Sequence, residues 1–157
     1  MKAIDARVLN IDALTLEHIA QGDQFETNGV KIGPLLGARD LGYSYDIVPP
    51  GKRGCPFHSH RGEEEMFFIL KGTGTLRYGN ETRPIRAGDV ICCPVGGPET
   101  AHQIINDSDA DLAYLSVSTM MPVEICEYPD SGKIGAFGGK LRHMTRADAN
   151  LDYWTDE

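Results

Sequence analysis

Through the middle of the chain, apolar and polar residues fall into short runs that end on glycine, proline or asparagine. The runs 42–48, 65–71, 74–78, 89–93, 101–105 and 112–118 are of strand length and rich in β-branched and aromatic residues. In the run Glu65-Met-Phe-Phe-Ile-Leu-Lys71, Glu65, Phe67 and Ile69 share one face, and Met66, Phe68 and Leu70 share the other. A strand apolar on both faces is buried on both sides. Short strands separated by turn chemistry predict an all-β antiparallel sandwich or barrel. Gly79-Asn80 follows Tyr78 at the place for a tight hairpin turn. The ends read differently. Residues 11–21 suggest a short helix. After Met121 the chain turns rich in proline and glycine and predicts an irregular segment wrapped against the barrel, since Tyr128, Phe137, Tyr153 and Trp154 are more aromatics than a disordered tail carries.

A length of 157 residues suits one domain over 1–157, with no repeat or long linker to divide it. The hydrophobic share of 41% and charged share of 24% exclude wholesale disorder. A net charge of −8 argues against nucleic acid or an anionic membrane as partner, since both demand a basic face. An anionic small substrate is still allowed, because a bound metal reverses the potential inside a pocket. The first seven residues lack the apolar core of a signal peptide, and no apolar run approaches the roughly 20 residues of a membrane helix. The expectation is a cytoplasmic protein. Cys55, Cys92, Cys93 and Cys126 form no CxxC pair, which points to reduced, mostly buried thiols, with a reactive role at Cys55 left open.

The chemistry concentrates in two stretches. His58 and His60 are two apart, so on a strand they project from the same face as a natural pair of metal ligands. Three glutamates follow, Glu63, Glu64 and Glu65. If the apolar strand begins at Glu65, that carboxylate lies at its inward end and needs a cation or a metal, whereas Glu63 and Glu64 fit a solvated turn. A salt bridge from Glu65 to Arg77 would meet the same need and leave the histidine pair unexplained. Further on, His102 opens a β-rich run after a Gly/Pro turn, and barrel closure would bring this third imidazole beside the first two. Such a His₃Glu set leaves open positions on a six-coordinate ion. His18 and His143 read as surface residues. Tyr43, Tyr45, Tyr114 and Gln103 stand as minor candidates near the pocket.

These residues fall in an order that resembles the paired motifs of the cupin superfamily, in its single-domain, conserved-barrel form. Gly51, His58, His60, Glu65 and Gly72 match the first motif; Gly88, Pro94, Gly96, His102 and Asn106 match the second. The spacing to Gly72 selects Glu65 as the ligand. Two intervals, Gly51 to His58 and Gly96 to His102, are longer than the common pattern, and both fall in turns. The resemblance implies a double-stranded β-helix, or jelly-roll barrel, with its core at about 40–120 and irregular N- and C-terminal extensions. It implies one divalent ion (Mn, Fe, Ni, Co or Zn) held by His58, His60, Glu65 and His102, and commonly a homodimer. The segment 128–133 resembles the tail of a group of single-domain bacterial cupins, some of which carry sugar-phosphate-isomerase labels. The resulting expectation is an enzyme acting on a small oxygen-rich metabolite, as an isomerase or a dioxygenase. The alternative is a non-catalytic module that binds a small molecule.

Overall fold

The structure is a computed structural model that describes residues 8–156. After a 3₁₀ turn at Ile11–Ala13 come β1 (Glu17–Gln21), β2 (Phe25–Lys31), a one-turn helix α1 (Ile32–Leu36) and β3 (Leu41–Val48). The two-residue β4 (Ser59–His60) precedes β5 (Glu65–Lys71), β6 (Thr73–Tyr78), β7 (Glu81–Arg86) and β8 (Val90–Cys93). A 3₁₀ turn at Pro98–Thr100 leads into β9 (His102–Ile105) and β10 (Leu112–Thr119). The chain ends with β11 (Val123–Tyr128), β12 (Lys133–Gly138) and β13 (Leu141–Arg146).

All pairing between these strands is antiparallel. One sheet runs β1-β2-β3-β10-β5-β8; opposite it lie β7-β6-β9 and β13-β12-β11-β4, which meet at the His58–His102 bridge. Val48, Phe67, Ile69, Ile91, Cys93, Leu112 and Tyr114 from the first sheet meet Leu76, Ile85 and Ile104 from the second in one core. The all-β double-layered barrel expected from the sequence is the observed architecture. The six central runs are strands, and Gly79-Asn80 joins β6 to β7 as a two-residue turn with Gly79 at φ +53°.

Both ends depart from expectation. The region 11–21 is not a helix: it holds only the 3₁₀ turn and β1, which pairs with β2 from Glu17 opposite Gly29. Every residue of β1 is exposed, so a helix there would have had no apolar face to bury, and edge pairing satisfies the backbone instead. The tail is likewise not irregular. β11 pairs with β4 through Cys126 opposite His60, and β12 and β13 extend that sheet, with Gly132 and Gly139 in its turns and Gly135 inside β12. Arg77 on β6 fastens the tail, donating two hydrogen bonds (2.7 and 2.9 Å) to Asp130 while its guanidinium covers the Phe57 ring at 3.7 Å. The Glu65–Arg77 salt bridge weighed from the sequence is therefore not formed.

Of the four cysteines, Cys93 and Cys126 are buried, Cys55 is half-buried and Cys92 is exposed; none is in a disulfide. No helix of the described residues is long and apolar enough to cross a membrane.

Candidate metal centre

Three different elements deliver the four side chains. The extended segment through β4 carries His58 and His60 on one face, and β9 begins with His102 directly across the bridge from His58. Glu65 starts β5 on the opposite sheet, with Phe67 and Ile69 continuing its inner face into the core. The structure thus brings together all four residues singled out in the sequence. The ligand-type atoms of His58, His60, Glu65 and His102 lie within 4.8 Å of one another.

The rings point one way. Glu65 Oε2 lies 2.9 Å from His102 Nε2, 3.2 Å from His60 Nε2 and 3.6 Å from His58 Nε2. The other ring nitrogens are tied behind. His58 Nδ1 donates to the Pro56 carbonyl at 2.8 Å and His102 Nδ1 to the Thr100 carbonyl at 3.2 Å. A carbonyl only accepts, so those bonds place the proton on Nδ1 and leave an Nε2 lone pair facing the carboxylate. His60 Nδ1 sits 3.3 Å from Cys126 Sγ and 3.4 Å from Glu124 Oε1. Its Nε2 is buried without a hydrogen-bond partner.

Lone pairs facing a carboxylate oxygen repel unless positive charge intervenes. Without an ion, protons must supply it. Burial disfavours charge on His58, but the Cys55 thiol and Glu65 outweigh that and hold the imidazole up at about 11. Burial opposes charge on His60 as well, and Cys126 and Glu65 raise it to about 10. Burial also disfavours the Glu65 carboxylate, yet the hydrogen bond to His102 and the facing His58 and His60 imidazoles hold it well below the usual carboxylate range.

A divalent ion satisfies the same cluster with neutral imidazoles. Ligands at about 2.0–2.2 Å from a metal lie roughly 2.8–3.6 Å from each other in octahedral (cis) or tetrahedral geometry, a range that takes in the 2.9, 3.2 and 3.6 Å separations of the imidazoles from Glu65. The orphaned His60 Nε2 is the atom such an ion would satisfy. Three imidazoles and one carboxylate suit a first-row transition metal.

The tail contributes what the sequence reading missed. Glu124, Cys126 and Tyr128 share the inner face of β11. Glu124, 5% exposed, accepts hydrogen bonds from the backbone amides of Arg61 and Gly62, both at 3.0 Å, which fixes the turn after His60. Tyr128 stacks on His58 with ring centroids 6.3 Å apart. The available signal was the strict alternation of Val123-Glu-Ile-Cys-Glu-Tyr128.

Among the minor candidates, Tyr114 is a core residue packed edge-on against Phe67, and Gln103 donates to the Cys55 carbonyl at 2.9 Å, away from the histidines. Cys55 Sγ lies 3.8 Å from His58 Nδ1. His18 bonds Asn28 on the exposed face of β1, and His143 is exposed on β13.

A two-sheet antiparallel barrel with a His₃Glu cluster at its mouth defines a double-stranded β-helix protein with a candidate metal centre. The cupin-domain family model matches residues 44–118, covering β3 to β10, and the chain belongs to the cupin superfamily. A candidate sugar phosphate isomerase of Acidithiobacillus ferrooxidans superposes with a TM-score of 0.82 at 26% identity, over 92% of this chain and 95% of the other. A cupin-superfamily sugar phosphate isomerase of Silicibacter pomeroyi superposes at 0.81 and 22% identity, over 93% and 97%, a likeness of fold alone. The oxalate-binding protein of Thermotoga maritima is 35% identical over 74 residues, 47% of this chain and 58% of that protein. The chain spans about half the length of the curated relatives it matches.

Proposed function

We propose that His58, His60, Glu65 and His102 hold one divalent transition-metal ion and that the protein is a metal-dependent enzyme acting on a small hydroxy-carbonyl metabolite, most simply as an isomerase. The observation that carries this reading is the convergence of three imidazole Nε2 atoms on one carboxylate oxygen, with the Nδ1 atoms tied back and one Nε2 orphaned. The ion would supply Lewis acidity, polarising an oxygen of a chelating substrate and acidifying the adjacent C–H. The chain's own part is to orient the ligands. Pro56 and Thr100 fix the tautomers of His58 and His102, and Glu124 and Cys126 fix the ring of His60. Four protein donors would leave open positions on a six-coordinate ion for the substrate. The likeness over nearly the whole chain to a candidate sugar phosphate isomerase supports the substrate class.

The test is exchange of the α-proton. Metal-loaded protein in D₂O with a hydroxy-carbonyl sugar phosphate is expected to wash deuterium into the carbon beside the carbonyl, followed by NMR, with at least about a hundredfold loss in His60→Ala. A fully loaded protein that exchanges no more than free metal contradicts enzymatic isomerisation. That outcome, combined with tight binding, favours a second reading, capture without turnover, which the oxalate-binding relative supports.

A further inference from the structure

Beside Glu65 the barrel mouth opens into a recess of about 260 Å³, and strand register decides what faces it. Lys31 on β2 lies opposite Ser44 on β3, Ser44 lies opposite Ser116 on β10, and Ser118 on β10 lies between Gly42 on β3 and Glu65 on β5. Directly opposed residues of antiparallel strands share a face. Val48, four residues beyond Ser44, is in the core, so this face is the inner one. Lys31, Gly42, Ser44, Ser116, Ser118 and Glu65 accordingly all line the recess.

The hydroxyls there are already oriented. Ser44 Oγ donates to Asp46 Oδ2 at 2.6 Å, and Ser116 Oγ lies 2.8 Å from Ser44 Oγ and 3.4 Å from Asp46 Oδ2. With their protons committed toward Asp46, Ser44 and Ser116 turn lone pairs to the recess and accept from hydroxyl groups. Asp46 is itself accommodated because Gly29 stands opposite it, where any Cβ would collide with the carboxylate. Gly42 keeps the mouth open, since a Cβ there would press on Met120 Sδ at 2.7 Å and Ser118 Oγ at 2.9 Å.

Lys31 is exposed and forms no ion pair among the described residues, so its ammonium is available at the rim of the recess. The three strand steps from β2 to β5 span about 14 Å. The lysine side chain covers part of that distance, and the remainder is the length of a three- or four-carbon chain. We propose that this recess is the substrate pocket, and that Lys31 grips the phosphate of a short hydroxylated carbonyl compound whose other end reaches the His58–His60–Glu65–His102 centre. The assignment rests on the metal reading above. It adds the substrate's charge, its size and the residue that selects it.

The experiment compares two probes that differ only in the anion, dihydroxyacetone phosphate and dihydroxyacetone, titrated calorimetrically into manganese-loaded protein. Wild type is expected to bind the phosphate at least about tenfold more tightly, the discrimination one charge-assisted contact provides. Lys31→Met is expected to erase that difference while leaving dihydroxyacetone affinity and manganese content unchanged, and Lys31→Arg to retain most of it. Phosphate affinity within about twofold of wild type in Lys31→Met overturns the assignment, because the phosphate then sits elsewhere, on the metal for instance. Equal affinity for the two probes in wild type, or no phosphate binding at millimolar concentration, overturns it too. A wild-type protein that retains no manganese fails at the earlier step and sinks the metal reading along with this one.

Discussion

His60 shows how much of the centre depends on one ring being held. Its Nε2 is buried and unpartnered while its Nδ1 lies between Cys126 and Glu124. Glu124 is the more consequential of the two, because it also satisfies the amides of Arg61 and Gly62. Glu124→Ala leaves the Gly62 amide without its acceptor, while the Arg61 amide keeps the Ile125 carbonyl at 2.9 Å, and is expected to cost about 1–3 kcal/mol in urea unfolding. A loss under about 0.5 kcal/mol would show that water or another group replaces the carboxylate. The histidines were legible because i, i+2 spacing on a strand leaves little freedom in where they project. Glu124 and Cys126 were not, since β11 inverts the usual pattern. Val123 (68% exposed) and Ile125 (41%) face outward while the glutamate and the thiol face inward. Hydrophobicity alone assigns that strand the opposite orientation.

Among the elements, glycine placement separates turns that tolerate a side chain from those that do not. Gly72, which ends β5, has φ +85°, and a Cβ there would run into the Asp111 carbonyl oxygen. Gly88 has φ +95° but open space around it. Both alanine variants carry the cost of a left-handed backbone, about 1 kcal/mol, and Gly72→Ala adds a backbone collision. Thermal unfolding should therefore show Gly72→Ala losing clearly more stability than Gly88→Ala; equal losses would contradict the clash. The six central strands could be read because breakers bound them and their apolar periods are short. The terminal strands could not. β1 has no buried face, and the tail strands have polar or glycine-rich sequences whose order comes from pairing with β4 and from the Arg77–Asp130 clamp.

For the whole molecule, the proposed centre would link metal binding to stability through protons. In metal-free protein His58 and His60 are raised from 6.5 to about 11 and about 10. Groups raised on folding contribute stability that is complete below pH 6.5 and lost as pH climbs through 10 to 11. Metal-loaded protein would hold those imidazoles neutral and have no such loss. The difference in Tm between loaded and metal-free protein is therefore expected to widen from pH 6.5 to 9 by calorimetry. A constant difference would mean that protons and metal do not compete for these rings. The homodimer implied by the resemblance has its own check. A second copy would cover exposed apolar residues such as Val90 (66%) and Ile19 (59%) at strand edges, and sedimentation would then give twice 17.2 kDa. A species of 17.2 kDa contradicts it.

The most direct test of the centre is elemental analysis of wild type, His60→Ala and Glu65→Ala after manganese loading and desalting. About one ion per chain is expected in wild type and less than about a tenth of that in either variant, with circular dichroism showing both still folded. Wild-type protein that retains no metal, or variants that retain as much as wild type, would contradict a metal centre built from these four side chains.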